Sequence, residues 1–224
     1  MDVLDAIRQR RSIRAFKSDP VPRETIDEIL AISQRAPSGT NTQPWHVHVC
    51  TGAVKQAITD DVLAAVQRGE SKSYADFGYY PAKWSELHNS RRRTLGWALY
   101  GLLGIQKGDR EAGTKQALRN FKFFDAPVGL FITTDDYLGQ GNWADVGMYI
   151  QTIMLAAKGF GLDTCPQAAW VPYQDIVLRH LGAADDERLV SGMSLGFAHD
   201  DAIENTLVSD RESLENVVRH HGFA

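Results

Sequence analysis

The 224-residue chain is predicted to form an α+β domain. Apolar residues recur at helical spacing in several segments, whereas residues 45–51 alternate apolar and polar side chains as a half-buried strand does. Strand and helix patterns do not alternate regularly along the chain, which argues against repeated βαβ units. With 43% hydrophobic residues, the chain can bury a sizeable core and is short enough for one domain over residues 1–224.

Two helices are predicted before the first strand. Asp2 can cap a first helix with apolar positions Val3, Leu4 and Ile7, and its last turn is expected to carry Arg8, Arg10 and Arg11. Pro22 stands near the start of a second helix. This helix has Ile26, Ile29 and Leu30 at i, i+3 and i+4, and Pro37 ends it.

A strand and a third helix follow. In the strand over residues 45–51, Trp45, Val47 and Val49 are expected on one face, opposite His46, His48 and Cys50, with one of the two faces buried. Residues 53–68 return to a helical pattern.

The segment 74–124 is predicted to be the least regular part of the chain. It is rich in aromatic residues, arginine and glycine. An insertion of this kind often builds a lid or a partner interface. The alternative is a set of surface helices that pack Trp84, Trp97 and Tyr100 into the core.

The C-terminal half is predicted to contain two strands and three helices. Residues 127–133 form a buried strand, and residues 142–158 a helix with apolar residues on nearly every face, so that it is enclosed on all sides. Gly159 and Gly161 stop this helix. A helix over 174–181, a strand over 189–198 and a charged helix from about Arg211 complete the pattern.

Composition narrows the classes of function. A net charge of -4 gives no broad basic field, so nucleic acid and anionic membranes are not expected as partners. No run of about 18 apolar residues occurs and residues 1–10 are polar and charged, so a cytoplasmic protein is expected. Cys50 and Cys165 fit buried, reduced thiols. No Cys or His spacing predicts a metal site; His199-Asp200-Asp201 and His220-His221 fit solvated residues.

The run Arg10-Arg11-Ser12-Ile13-Arg14 stands out against this acidic background. Three guanidinium groups within five residues make a site for a small, multiply charged anion, because arginine forks match phosphate oxygens and stay charged. The run therefore predicts a phosphate-bearing cofactor. The alternative is that these cations merely complement the dipole at a helix C-terminus.

A second motif lies in residues 37–45, with the sequence PSGTNTQPW. Its small residues and side-chain amides offer the donors and acceptors that the edge of a flat heterocycle needs. The two motifs are interpreted as halves of one site. Taken alone, the second is also typical of an ordinary turn.

With "RRSIRAF" and "APSGTNTQPW" at this spacing, the chain resembles the FMN-dependent nitroreductase superfamily. The likeness continues through "FFDAPVGLF", "ADVGMYIQTIMLAAKGFGLDTCPQAAW" and "GMSLGFA" to an arginine near the C-terminus. Residues 79–108 are most similar to the nitroaromatic and nitrobenzoate reductase branch. The resemblance implies a nitroreductase-like fold, with a central, mostly antiparallel sheet surrounded by helices, and a homodimer. Segment 74–124 is then the part that varies within the family.

The resemblance also implies the cofactor contacts. Arg10, Arg11 and Ser12 would hold the phosphate and ribityl end of FMN, Arg14 would lie near the pyrimidine edge, and Arg211 would reach the phosphate. A cation near the pyrimidine edge stabilises the negative charge of reduced flavin. Backbone N–H groups in the turn 165–169 would face flavin N5 and O4, and loop 37–43 would come from the second subunit. The residues implied in these two segments are Pro166, Gln167, Ala168 and Ala169, and Pro37, Ser38, Gly39, Asn41 and Gln43.

The implied activity is a ping-pong oxidoreductase that takes electrons from NADH or NADPH and reduces a small aromatic nitro compound through nitroso to hydroxylamine products. Flavin N5 carries the chemistry, so no side chain is expected to be a nucleophile. The run Arg91–Arg93 either attracts an acceptor carboxylate or is a solvated helix face. Reduction of quinones, flavins or activated alkenes, or flavin binding without turnover, are alternatives, and the sequence does not choose between NADH and NADPH.

Overall fold

The computed structural model describes residues 1–223, apart from the side chain of Ala75. The helices are α1 Val3–Gln9, α2 Arg23–Ser33, α3 Gly52–Gln67, α4 Glu86–Leu102, α5 Arg110–Leu118, α6 Gln140–Gly159, α7 Gln174–Leu181 and α8 Leu214–Val217. The strands are β1 His46–Cys50, β2 Val128–Asp135, β3 Asp163–Gln167 and β4 Glu187–Gly196. No described helix is both long enough and apolar enough to cross a bilayer.

The four strands form one sheet in the order β1-β2-β4-β3, and every neighbouring pair is antiparallel. This confirms the predicted α+β class and the antiparallel sheet. The prediction of a turn at 165–169 is wrong in its first half, because Cys165, Pro166 and Gln167 pair with β4. Proline hides this strand in the sequence, and it is tolerated here because β3 lies at the edge of the sheet.

Both faces of the central strand β2 are buried. Leu130 and Ile132 of β2 lie in a cluster with residues of α2 and α6, whereas Phe131 lies in a second cluster with Phe123 and Trp170. Successive side chains of a strand point to opposite faces, so a strand covered on both sides is apolar throughout. This explains why the predicted strand over 127–133 is continuously hydrophobic.

The N-terminal helix begins as predicted and ends earlier. The Asp2 carboxylate accepts the Leu4 N–H at 3.1 Å and caps α1. Since α1 ends at Gln9, Arg10 and Arg11 follow the helix and do not lie in its last turn. At the other end of the chain, the helix expected from about Arg211 begins only at Leu214 and is four residues long.

Two apolar surfaces are open to solvent in the single chain. In α6, Ala144, Gly147 and Met148 are exposed, so the prediction that this helix is enclosed on all sides is wrong. The sheet, α1 and α2 cover the other sides of α6. In β1, Val49 is 43% exposed because this strand lies at the edge of the sheet and its outer part lacks a covering layer.

The segment 74–124 is more regular than predicted. It contains α4, a 17-residue helix capped by Ser85, as well as α5. The helix α4 has no buried residue, since it lies on the outside of the molecule. The alternative in which Trp84, Trp97 and Tyr100 pack into the core is also wrong, because none of the three is buried and Trp97 is 48% exposed.

Packing across the sheet predicts the effect of a single methyl group. A Cβ at Gly192 would lie 2.7 Å from Nε1 of the fully buried Trp170. We expect Gly192→Ala to lower the free energy of unfolding by about 1–3 kcal/mol through overpacking. Urea denaturation measures this change.

Gly101→Ala in α4 is the matched control, because no described atom lies within 4 Å of a Cβ there. We expect this change to be neutral or to stabilise by up to about 1 kcal/mol through helix propensity. Equal unfolding midpoints for the Gly192→Ala variant and the parent would contradict the packing argument.

Candidate cofactor site

A cleft of about 840 Å³ lies at the end of α1. It is bounded by the residues after α1, by Lys158 of α6, by Asp163 of β3 and by the segment 198–211. Five of the predicted site residues line it together: Arg10, Arg11, Ser12, Arg14 and Arg211. The fold therefore joins residues that are about 200 positions apart in the sequence.

The arginine run is an extended segment at the edge of the sheet. Ser12 bridges Thr164 of β3 in parallel, and the Ile13 N–H donates to the Thr164 carbonyl at 3.1 Å. Ile13 is buried, whereas Arg10, Ser12 and Arg14 are only partly buried. Successive side chains of an extended segment point to opposite sides. The buried Ile13 side chain therefore anchors the segment, while its polar neighbours Ser12 and Arg14 face the cleft.

Asn205 fixes the same segment from the other side. Its side-chain oxygen accepts the Arg14 N–H at 2.8 Å and the Ala15 N–H at 3.1 Å. Its amide donates to the carbonyls of Ala15 at 2.8 Å and of His199 at 3.2 Å. Each such bond contributes roughly 1 kcal/mol net, and leaving one partner unpaired costs more. Sequence analysis missed this residue, because a single asparagine in a loop gives no pattern.

An ion pair anchors the short helical turn that carries Asn205. Glu204 precedes Asn205 in the turn Ile203–Thr206, is buried, and pairs with Arg119. Arg119 also donates to Asp125 at 3.1 Å. The segment after β4 is therefore tied to the turn before β2.

Four of the five guanidinium groups that line the cleft lack acidic partners among the described residues, whereas Arg8 pairs with Asp5 at 3.4 Å. Among residues 1–223, no carboxylate forms an ion pair with Arg10, Arg11, Arg14 or Arg211. The two carboxylates that line the cleft are already paired: Asp163 with Lys158 at 2.8 Å and Asp200 with Lys17 at 2.6 Å. The cleft therefore carries excess positive charge, which suits an anion and does not merely balance a helix dipole.

Two of these arginines are held by neighbouring oxygen atoms. Arg14 Nη1 donates to the Ser12 carbonyl at 3.2 Å. Arg211 Nη1 donates to Ser209 Oγ at 2.8 Å and to the carbonyls of Ser209 and Asp210. A guanidinium has five N–H groups, so each retains donors for a ligand.

The loop 37–43 does not line this cleft. It is exposed and its backbone is strained: Thr40, Asn41 and Gln43 have φ of 48°, 61° and 49°, a region that residues other than glycine rarely adopt. Such strain persists only where surrounding contacts impose it, and it clusters at functional sites. Here Ser38 Oγ accepts the Gln43 N–H at 3.0 Å and Asp145 accepts the Gly39 N–H at 3.2 Å.

The residues 166–169 also lie outside the cleft. The Gln167 side chain is buried and fully engaged, since it donates to the Asn120 carbonyl at 2.7 Å and accepts from Ser194 at 2.9 Å. Ala168 and Ala169 open the helical turn Ala168–Tyr173 and are partly exposed. The first N–H groups of a helix have no partner within it, so the backbone here, and not the Gln167 side chain, is available to a ligand.

Both thiols are buried and protonated. Burial raises the pKa of Cys165 to about 11, although Arg14, Ser12 and Arg10 nearby oppose the rise. Burial likewise raises the pKa of Cys50 to about 11. Neither cysteine forms a disulfide. Within the described part of the chain, no group of three or more His, Cys, Asp or Glu residues is arranged to hold a metal ion.

Comparisons with known proteins identify the family of this chain. The model of the Nitroreductase family matches residues 7–197. The chain is 37% identical over 223 residues to a 4-nitrobenzoate reductase of Pseudomonas putida, covering 99% of this chain and 97% of that protein. It is similar to the crystal structure of the FMN and NADPH-dependent nitroreductase NfnB from Sphigopyxis sp. strain HMH, with a TM-score of 0.96, 38% identity and complete coverage of both chains.

A second solved structure is similar over nearly its whole length. The FMN-dependent nitroreductase NfnB from Mycobacterium smegmatis, in complex with NADPH, has a TM-score of 0.90 and 30% identity. The match covers 98% of this chain and 100% of that one.

The unpaired charge at the cleft predicts how ligand affinity responds to substitution. Arg10→Ala and Arg211→Ala each remove a charge-assisted contact of roughly 1.5–3 kcal/mol, so FMN binding should weaken about ten- to a hundredfold. Quenching of flavin fluorescence on titration into apoprotein measures the dissociation constant.

Arg23→Ala is the control, because Arg23 is exposed on α2 and pairs with Asp27 away from the cleft. The melting temperature of all three variants should stay close to that of the parent. Unchanged FMN affinity in either cleft variant would exclude that residue as a phosphate ligand.

Proposed function

Because the chain belongs to the nitroreductase family, we propose that it is an FMN-dependent oxidoreductase that uses NADH or NADPH to reduce nitroaromatic compounds. The observation that carries this proposal is the set of four guanidinium groups at one cleft without acidic partners among the described residues. Composition predicts a cytoplasmic enzyme, and we retain that prediction as part of the proposal.

The residues at the cleft fit FMN. A terminal phosphate needs several cations, and Arg10, Arg11 and Arg211 supply them. A ribityl chain needs small polar groups, and Ser12 lies between the arginines. Arg14 follows on the same extended segment and would lie near the pyrimidine edge, where a positive charge stabilises the reduced ring system.

When bound, FMN supplies the transfer of an electron pair from the pyridine nucleotide to the acceptor. The chain itself binds, orients and stabilises charge. The N–H groups at Ala168 and Ala169 would hold the edge of the flavin. The side chains of Pro166, Ala168 and Ala169 are small enough for the main chain to come close. With both thiols protonated and buried, no cysteine nucleophile takes part, and water is the proposed proton source.

The nitro group accepts one electron pair and two protons and loses water to give the nitroso compound. A second electron pair and two further protons give the hydroxylamine. The nucleotide and the acceptor occupy the same place in turn, which is a ping-pong cycle. The protein then needs an open site for flat molecules of either kind.

We further propose that the active form is a homodimer. The apolar residues of α1 are mostly exposed, with Val3 at 61% and Ile7 at 51%, and α1 packs beside α6, whose outer face includes the exposed Met148. Contiguous exposed apolar surface is typical of an interaction site. Loop 37–43 has a strained backbone that hydrogen bonds hold in place, and it lies outside the cleft of its own chain. In the proposed dimer, this loop completes the site of the neighbouring subunit.

The first test of this function is cofactor content. The purified protein should be yellow, contain about one FMN per chain, and lose its flavin absorbance within seconds when NADH or NADPH is added without oxygen. Addition of a nitrobenzoate should restore the absorbance. Stable FMN binding without bleaching would favour a flavin-binding protein, and release of FAD or of no flavin would overturn the proposal.

A mixed dimer tests whether the two subunits share each site. Asn41→Ala and Arg14→Ala should each damage both sites of a homodimer. If the two residues serve one site from different chains, a heterodimer has one doubly damaged and one intact site, and should regain up to half of the parental activity per dimer. Differently tagged subunits, purified after exchange, allow the measurement.

Mixed dimers of Arg10→Ala with Arg14→Ala are the control, because these residues lie on one segment of the same chain. In that pair every site carries one damaged arginine, so no intact site forms. Recovery in the control, or none in the test pair after proven exchange, would contradict the shared site.

A further inference from the structure

The three consecutive arginines of α4 differ in their surroundings. Arg91 pairs with Glu212 at 2.6 Å and Arg93 pairs with Glu86 at 2.5 Å. In the part of the chain that the structure describes, Arg92 forms no ion pair with a carboxylate. Its guanidinium lies over the ring of Trp84, 4.7 Å from the centroid. Arg92 is therefore the cation of this run whose charge is uncompensated.

Arg92 stands at one end of a continuous array of aromatic rings. Trp84 contacts Tyr80 with centroids 5.4 Å apart, and Tyr80 contacts Tyr79 at 4.7 Å and Tyr74 at 5.2 Å. Tyr80 is 40% exposed and Trp84 is partly exposed. The array thus offers ring surface to a flat molecule, with a positive charge at its end.

The other end of the array is fixed beside the segment proposed to face the flavin. The Tyr79 hydroxyl donates to the Val190 carbonyl at 2.8 Å, and the next residue of β4, Ser191, accepts the Gln167 N–H at 3.3 Å. The Lys72 N–H donates to the Pro172 carbonyl at 3.2 Å, in the helical turn that Ala168 opens. The rings therefore extend outward from the neighbourhood of Gln167 and Ala168.

We propose that Arg92 binds the carboxylate of an acidic nitroaromatic acceptor whose ring packs against Tyr80 and Trp84. This inference rests on the proposed function, and it names the class of acceptor and the residue that selects it. The N–H groups of a guanidinium lie in its own plane. An arginine over a ring therefore keeps donors free for a carboxylate, and the ring fixes its position.

Charge around the array supports an anionic ligand. The two carboxylates that contact this arginine run, Glu86 and Glu212, are taken up by Arg93 and Arg91. Arg92 also acts on Tyr74: burial raises the pKa of this phenol to about 12, and the positive charge of Arg92 opposes the rise. Tyr74 thus stays neutral at working pH and places no negative charge beside the ligand.

The test compares two acceptors that differ in charge. The holoenzyme and Arg92→Gln are assayed with 4-nitrobenzoate and with its neutral methyl ester. We expect the KM for 4-nitrobenzoate to rise about five- to twentyfold in the variant, with kcat little changed, because one charge-assisted contact is lost. The KM for the ester should stay within about twofold. Raising the salt concentration should reduce the difference.

Arg93→Gln is the matched control, since this neighbour is exposed and paired with Glu86. It should leave the ratio of the two KM values unchanged. Arg92→Lys keeps the charge without the planar fork and should fall between the parent and Arg92→Gln. Arg92→Lys keeps the aliphatic part of the side chain over Trp84. It therefore serves as the test if Arg92→Gln lowers the melting temperature of the protein.

The outcomes separate the two proposals. An unchanged ratio of acid to ester in both Arg92 variants would overturn the role of Arg92 while the reductase activity stands. If the parent reduces neither compound, the proposed function fails. Calorimetric titration of 4-nitrobenzoate into the oxidised holoprotein then still decides whether Arg92 is needed for binding, because equal affinity in parent and variant excludes it.

Discussion

The hydrogen bond from the Ile13 N–H to the Thr164 carbonyl fixes the segment on which the site depends. It holds the arginine run against the outer edge of β3. On the other side of the run, the Asn205 side chain accepts the N–H groups of Arg14 and Ala15. Buried Ile13 adds the apolar anchor. Without these contacts, the guanidinium groups would repel one another and spread into solvent. Backbone pairing with β3, the Asn205 side chain and the burial of Ile13 therefore stabilise the arrangement that keeps like charges together.

The rest of the fold serves to make that sheet edge rigid. Both faces of β2 are covered, and Trp170 fits against the bare backbone of Gly192 in β4. Behind this layer, Phe123, Phe124 and Asp125 all have positive φ, an unusual run for residues other than glycine. Such a turn costs free energy that burial of two phenyl rings offsets. The turn positions Asp125, which meets Arg119 and so connects to the Asn205 turn.

Sequence patterns predicted the helices and strands that are determined by residues close to one another in the sequence. The alternation of apolar and polar residues, the helical spacing of apolar residues and the Asp2 cap identified β1, β2, β4 and most helices. The predicted bounds of α7 are confirmed at both ends. The patterns failed where the cause is not local. Pro166 concealed β3, because the tolerance of an edge position appears only once the sheet is assembled. The helix that carries Met148 was expected to be enclosed, and the sequence did not say which face of β1 is buried, because hydrophobicity does not tell whether a covering surface belongs to the same chain.

The candidate site divides in the same way. Charge density singled out Arg10, Arg11 and Arg14, since three cations in five residues are visible in one line of sequence. The distinction among Arg91, Arg92 and Arg93 depends on partners that are far away in sequence, such as Glu212. The role of Asn205 depends wholly on where its loop returns. Local chemistry could therefore be predicted, whereas the assignment of one task to one side chain could not.

The high pKa of the two cysteines bears on how such an enzyme survives its own products. Nitroso compounds are electrophiles, and the ionised form of a thiol is the nucleophile that attacks them. At neutral pH, a thiol whose pKa is raised to about 11 by burial is almost entirely protonated. Both sulfur atoms are also shielded from solvent. Both cysteines of the chain are thus poorly reactive toward electrophiles of this kind.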